Sequence, residues 1–344
     1  MRQTLARTLL IPAFLLATIW ASLALWYQLP TGTIIKSAAI AAWLTFSGLT
    51  AWAAWRHRPI RGVIAYLLGL TLLIIWWQTL APSNLRDWAD DVAETTTVTL
   101  QGSIATVSHV RNFDWRSTTD YTAHWESRQY DLNQLRTVDM LLSYWTGPAI
   151  AHTLVSFGFD DGRFLVFSVE IRKERHEKFS EIGGFFKQFE TSIIAADERD
   201  IVRLRTNIRG EDVYLYRIDM SQDAMRQLFL AYAEEASLLA EEPRFYHSIT
   251  ANCTTIVYHM VRQIIPGLPM DYRLLLSGYL HEYIYSIGGL DTTQPLETLR
   301  QQGRITERAL STDSAADSDP DFSQAIRRTI PPIPEQASAN SAAE

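Results

Sequence analysis

Three long uncharged runs constrain this chain more than anything else in it. No charged residue falls between Arg7 and Lys36, between Lys36 and Arg56, or between Arg61 and Arg86. A helix crossing a hydrocarbon core of roughly 30 Å needs about 20 apolar residues, and each gap is long enough. A cleaved signal peptide would account for the first run alone. The second and third follow too closely for that, and no small-residue cleavage site stands out. Three membrane spans are therefore expected within residues 1–81. Arg2 and Arg7 precede the first span and Arg56, Arg58 and Arg61 fill the second connection, while the loop around Pro30-Thr31-Gly32 stays uncharged up to Lys36. Basic residues favour the cytoplasmic side, so everything after about Leu80 is expected outside. Trp26, Tyr27, Trp76 and Trp77 then fall in the outer interfacial belt, with Trp52 and Trp55 in the inner one.

Beyond the spans the composition turns polar. Asp87, Asp90, Asp91 and Glu94 suggest an acidic linker over residues 82–97, and residues 98–310 suffice for one globular domain. Thr96 to Val110 alternates like one or two strands. Arg111 to Leu132 has no period and reads as an ordered loop or the wall of a cleft. Leu135–Tyr144 suits a short helix. Ile150 to Ile171 holds two β-rich runs around Asp160-Asp161-Gly162, which suits a three-residue hairpin loop. That register sets His152 opposite Glu170, whereas a two-residue turn would put Ile171 there. Lys173 to Glu190 reads as helix and loop, and Ile201–Arg205 and Val213–Ile218 as strands. Ser221 to Glu242 is an amphipathic helix, and Tyr272 to Ile287 another. Residues 311–344 are rich in Ser, Ala, Asp and Pro, with few large apolar residues before Ile330-Pro331-Pro332-Ile333, and read as a disordered tail.

The single cysteine, Cys253, lies in Asn252-Cys253-Thr254-Thr255, just before apolar residues at helical spacing (Ile256, Val257, Met260, Val261, Ile264). Asn252 suits an N-cap, which sets Cys253 in the first turn. Helix-start N–H groups and the helix dipole favour a thiolate there. The plain alternative is a small buried apolar side chain. Outside the cytoplasm an unpaired cysteine is a liability unless it is buried or useful. A thiol nucleophile needs a base and the base an orienter. Seven of the eight histidines lie beyond the spans, so a histidine alone signifies little. His152 stands out because it lies in an apolar strand, where an unpartnered imidazole is costly, and Glu170 is its expected partner. A purely structural His–Glu pair is the competing reading. His247 is the reserve base, and His259 lies off the cysteine's helical face.

Other chemistries lack their motifs. His281-Glu282 has no second histidine four residues on, and neither GxSxG nor a Gly-rich phosphate loop occurs. A net charge of −7 without a basic run in the outer domain argues against nucleic acid.

The segments RNFDWRSTTDYTAHWESRQYDL, YWTGPAIAHTLVSFGFDDGRFLVFSVEIRKE, GFFKQFE, AADERD, EDVYLYRI and ANCTT resemble the Lnb N-terminal periplasmic domain family, over roughly Val98 to Leu290. The resemblance implies an α+β domain of the circularly permuted papain-like superfamily, akin to lecithin:retinol acyltransferase-like enzymes, in which a His strand precedes the Cys helix. By the same resemblance Cys253 is the nucleophile, His152 the base and Glu170 the third polar residue. Asn252 and Thr254 flank the expected oxyanion site. The implied activity is acyl transfer to a lipoprotein amine, or acyl hydrolysis, on lipid or lipoprotein substrates at the periplasmic face of a bacterial inner membrane. No cofactor or metal is implied. A Cys–His peptidase or amidase is the second reading, and a non-catalytic membrane-anchored binding protein the third. One departure from the family stands out: here all three spans precede the domain.

Overall fold

The computed structural model describes residues 2–56, 59–313 and 321–330. The chain divides into two compact units: Met1–Ser83 with Lys178–Glu190 and Phe245–Ser248, and Asn84–Glu177 with Thr191–Arg244 and Ile249–Glu344.

The first unit is built on helices α1 (Arg2–Gln28), α2 (Thr33–Arg56) and α3 (Pro59–Thr79). All three are long and apolar enough to cross a membrane. Their outward faces carry Leu, Ile and Val, and their contacts combine aromatic packing of Phe14, Trp43, Phe46 and Tyr66 with small and hydrogen-bonding residues such as Ala21 and Thr18. The Thr18 and Tyr66 hydroxyls are 3.0 Å apart, and Trp43 Nε1 donates to the Thr18 carbonyl at 3.2 Å. Gly62 lets α3 approach α2: a Cβ there would lie 2.5 Å from the Thr50 carbonyl oxygen. Lys178–Glu190 is a looped segment of this unit around one 3-10 turn, Gly183–Phe185, with no longer helix in it.

The second unit is α+β, around one mixed eight-stranded sheet. Its elements in chain order are β1 (Thr97–Gln101), β2 (Ile104–Arg111), β3 (Asp114–Trp115), β4 (Tyr121–Thr122), β5 (Trp125–Asp131), β6 (Leu135–Tyr144), β7 (His152–Phe159), β8 (Phe164–Arg172), β9 (Glu190–Ala196), α4 (Glu198–Arg203), β10 (Asp212–Arg217), α5 (Gln222–Glu241), α6 (Thr255–Ile264), α7 (Leu280–Ser286), α8 (Leu296–Gly303), α9 (Thr306–Thr312) and α10 (Asp321–Ala325). The sheet order is β1-β2-β9-β8-β7-β6-β10, with β5 also on β2, while β3 and β4 pair apart. Strand alternation divides the core. Val155, Phe157, Leu165 and Phe167 pack against α5 and α6, and Leu154 and Val166 pack against α4, α9 and α10.

Several expectations are corrected. Leu135–Tyr144 is a strand, not a helix: it lies between β7 and β10 and is buried on both faces, where a continuous apolar run carries no alternation to read. Arg111–Leu132 contains β3, β4 and β5. Ile201–Arg205 is helical, running from α4 into a π-turn, because Asp197 caps it at the Arg199 N–H (2.9 Å). Tyr272–Ile287 breaks into two 3-10 turns and the short α7. Gly278 lies against the Pro148 carbonyl, which a Cβ would meet at 2.0 Å.

The acidic stretch expected as a linker belongs to the domain from Asn84 onward. Asp91 pairs with Lys173 at 3.0 Å and Asp87 with Arg175 at 3.1 Å. Arg172, itself buried, donates to Asn84 Oδ1 and to the Val92 and Ala93 carbonyls. Residues 321–330, expected in a disordered tail, pack on the core as well. Phe322 and Ile326 are buried, and Arg327 pairs with Asp139 at 2.8 Å and Glu198 at 2.5 Å. Residues 314–320 and 331–344 of that expected tail lie outside the described residues.

Candidate active site

The β7–β8 hairpin turns through the three-residue loop. The Phe159 N–H donates to the Arg163 carbonyl at 3.0 Å, and Gly162 takes φ +82°, a left-handed conformation open to glycine. Leu154 pairs with Ser168, and two residues further along the same register Glu170 meets His152. His152 Nε2 is 3.1 Å from Glu170 Oε1 and 2.7 Å from Ser168 Oγ, and Ser168 Oγ donates to Glu170 Oε1 at 2.8 Å. Behind the carboxylate stands Arg205, with Nη2 3.0 Å from Glu170 Oε1 and Nη1 3.4 Å from Glu211 Oε2. Every member of this chain is at least four-fifths buried, so each charge depends on its partner rather than on water.

Cys253 completes the chain from the other side of the sheet. It packs with the α5–α6 core, while His152 shares the strand face of Leu154. They meet at the start of β7. The thiol is half-buried and lies 3.9 Å from Thr254 Oγ1, and the neighbouring groups that most affect its charge are the His152 imidazole and the Thr153 backbone N–H. Since Nε2 is committed to Glu170 and Ser168, Nδ1 is the ring nitrogen left for sulfur.

The electrostatics follow from this geometry. Burial pushes the Cys253 thiol up, but the imidazole bond and charge of His152 outweigh it and the thiol ends below its usual range. Burial and the Arg205 charge push His152 down, while Glu170 and the bond with Cys253 lift it above its usual value. Burial raises Glu170, and against it His152 and Arg205 hold the carboxyl well below the carboxylate range. A lowered thiol beside a raised imidazole favours a thiolate–imidazolium pair.

The helix start differs in one respect from the expectation. Regular helix begins at Thr255, so Cys253 precedes α6 instead of occupying its first turn. Asn252 does cap the segment. Its Oδ1 accepts from the Thr254 N–H at 2.9 Å and the Thr255 N–H at 2.8 Å, and its carbonyl accepts the Ile256 N–H. Those two helix-start donors are thus occupied by Asn252 and not open to an oxyanion, whereas the Cys253 N–H has no acceptor among the described residues. His247 belongs to the membrane-helix unit, where its ring packs edge-on against Phe185. His281 stacks on Tyr216, ring centroids 5.3 Å apart, and His259 is exposed.

Three residues escaped the sequence reading. Ser168 was legible in principle, two positions before Glu170 and so on the same strand face. Thr153 contributes a backbone N–H, which no side-chain pattern announces. Arg205 was hidden by reading its segment as a strand. Among the described residues no group of three or more His, Cys, Asp or Glu is placed to hold a metal ion.

Fold and site together define an α+β domain with a buried thiol–imidazole–carboxylate chain, attached to three membrane-length helices. Residues 121–278 match the family model of the Lnb N-terminal periplasmic domain. The matched stretch includes His152, Glu170, Arg205 and Cys253, and is narrower than the resemblance read from the sequence blocks. A membrane-anchored protein with a periplasmic domain fits both the family and the three helices. No curated protein and no solved structure matches the chain.

Proposed function

We propose that the domain is a thiol acyltransferase or acyl hydrolase of the permuted papain-like type, acting on lipid or lipoprotein acyl groups at the periplasmic face of the inner membrane. The observation that carries this reading is the unbroken contact from the Cys253 sulfur through His152 to Glu170 and Arg205 within one compact unit. The thiolate attacks an ester carbonyl, and the Cys253 N–H, which has no acceptor among the described residues, faces the developing oxyanion. The carbon–oxygen bond breaks, His152 gives its proton to the departing alkoxide, and an acyl-thioester remains on Cys253. An amine or a water then attacks the thioester, His152 takes the proton of the attacking group, and the thiolate leaves. Glu170 holds the ring and supports its positive charge throughout.

The surroundings favour an acyl substrate over a polar one. Ile150, two residues before His152, is 37 % exposed, and Leu275 and Leu276 are 47 % and 37 % exposed. The two segments are joined where the Ala151 N–H donates to Ser277 Oγ at 3.0 Å and the Gly278 N–H to the Ala149 carbonyl at 3.0 Å. An apolar rim thus lies at the start of β7.

Incubation of the full chain with diacylated lipopeptide or membrane phospholipid, followed by intact-mass measurement, tests the reading. An acyl adduct on Cys253 that hydroxylamine removes, and that His152→Gln does not accumulate, is the expected result. Cleavage of a peptide library with no adduct would overturn it in favour of a peptidase. Neither adduct nor cleavage would point to a binding protein.

A further inference from the structure

We infer that Lys178–Glu190 is an interfacial loop that inserts Phe179, Ile182 and Phe185 among the acyl chains of the leaflet at the Gln28 and Thr79 ends of the membrane helices. The inference stands apart from the chemistry of Cys253, since it concerns the other unit of the chain.

The loop is bound to the helix ends by contacts of several kinds. Gln28 Nε2, at the end of α1, donates to the Phe186 carbonyl at 2.7 Å, and the Tyr27 and Ser180 hydroxyls are 3.2 Å apart. Lys187 Nζ donates to the Trp77 carbonyl at 3.0 Å and the Leu80 carbonyl at 3.3 Å, capping the C-terminal end of α3 where a cation is favoured. Phe186 stacks on Tyr27 at 5.7 Å and meets Trp77 edge-on at 6.3 Å. Tyr27, Trp76 and Trp77 are the interfacial aromatics of those two helix ends, so the loop lies at the depth where a bilayer turns from acyl chain to headgroup.

The loop is also internally tight. The Gly183 N–H donates to Ser180 Oγ at 3.0 Å, the Phe185 N–H to the Ile182 carbonyl at 3.0 Å and the Phe186 N–H to the Gly183 carbonyl at 2.9 Å. A Cβ on Gly183 would lie 1.8 Å from Gln188 Oε1, and one on Gly184 2.4 Å from Ser248 Oγ, so the paired glycines leave room for these side chains against the turn.

A loop this closely held could have turned its large apolar residues inward, and with Phe186 and Phe189 it does. Phe179, Ile182 and Phe185 instead remain 57 %, 53 % and 40 % exposed. Three large apolar side chains held outward on a pinned loop mark an interaction surface. Their position beside the ends of α1 and α3 makes that surface continuous with the lipid-facing sides of the helices. Its occupant is therefore the bilayer, reached as interfacial segments reach it, with apolar side chains at the headgroup–acyl boundary.

The test places a single environment-sensitive label in the full chain. In a Cys253→Ala background, Ile182→Cys, Phe179→Cys and Gln129→Cys are each labelled with a nitrobenzoxadiazole probe and reconstituted into phosphatidylcholine–phosphatidylglycerol nanodiscs. Gln129 is an exposed position in the other unit. Labels at 182 and 179 should emit to the blue of the label at 129. They should also lose emission when the nanodiscs carry lipid with a nitroxide near the headgroup end of the acyl chain. Water-like emission at 182 and 179 would overturn the inference. So would a blue shift without nitroxide quenching, which would mean that protein, either this chain or a second copy, covers the loop.

Discussion

His152 Nε2 and Glu170 Oε1 stand 3.1 Å apart across two neighbouring strands, with the thiol of Cys253 beside the same imidazole. The distance follows from turn chemistry: Asp160-Asp161-Gly162 fixes the register, and the register fixes the partner. Because the imidazole bridges a carboxylate and a thiol, each neighbour affects the other through it.

Cys253→Ala and His152→Ala should each abolish thioester formation while leaving the thermal midpoint nearly unchanged. The fold tolerates loss of the imidazole because Glu170 keeps Arg205. Groups that act as a unit are non-additive, so the double variant should be no worse than either single one. An appreciable rate left in His152→Ala, with loss in His247→Ala, would move the base elsewhere.

The pH dependence of alkylation follows from the two shifts. With the thiol lowered and the imidazole raised, the reactive thiolate–imidazolium pair occupies the range between the two folded values. Iodoacetamide should therefore label Cys253 well below pH 8, slowing only as the lowered thiol value is crossed. Glu170→Gln removes the anion that lifts His152, so labelling in that variant should shift to more alkaline pH. A labelling profile that follows an ordinary thiol, near 8.5, would show the pair absent.

Arg205→Met should be destabilising, by about 3–5 kcal/mol, because it removes the buried cation shared by Glu170 and Glu211 and leaves them only His152 and the more distant Arg209. Glu170 titrates well below its ordinary 4.5 in the fold. A carboxylate depressed in this way contributes stability above its unfolded value, and that contribution is lost as pH falls through the folded one. Urea unfolding should accordingly show the gap between wild type and Arg205→Met narrowing in acid. A gap of constant size would mean that the arginine acts by packing alone.

Truncation after Asp313 should lower the unfolding midpoint of the full chain. It removes Phe322 and Ile326, worth about 1.5–3 kcal/mol each when fully buried. It also strips Arg327 from the fully buried Asp139 and Glu198. Arg327→Ala alone should reproduce most of the loss. If neither change moved the midpoint, the packed segment would be energetically idle.

Alkaline phosphatase fused after Arg86 should be active and the same reporter fused after Arg56 inactive, as the basic residues of the second connection require. The reverse pattern would put the cysteine in a reducing compartment and remove the compartment argument for its reactivity.

The sequence by itself determined the features that local chemistry encodes. Uninterrupted apolar runs gave the three long helices, the Asp-Asp-Gly turn gave the β7–β8 register, and Asn252 before an apolar helix gave the cap beside Cys253. Candidate partners His152 and Glu170 could be read because a hairpin is a local structure with a fixed period of two. Tertiary structure decided what depends on neighbours distant in the chain. Leu135–Tyr144 is a strand because β7 and β10 bury both its faces. The acidic stretch joins the domain because Arg172, Lys173 and Arg175 meet it there. Residues 321–330 are ordered because Phe322 and Ile326 bury against the core and Arg327 supplies the cation that the buried Glu198 needs. The approach of Cys253 to His152, 101 positions earlier, likewise rests on α5 and α6 packing against one face of the sheet. Such contacts are set by burial over the whole fold, and no short window of sequence contains that information.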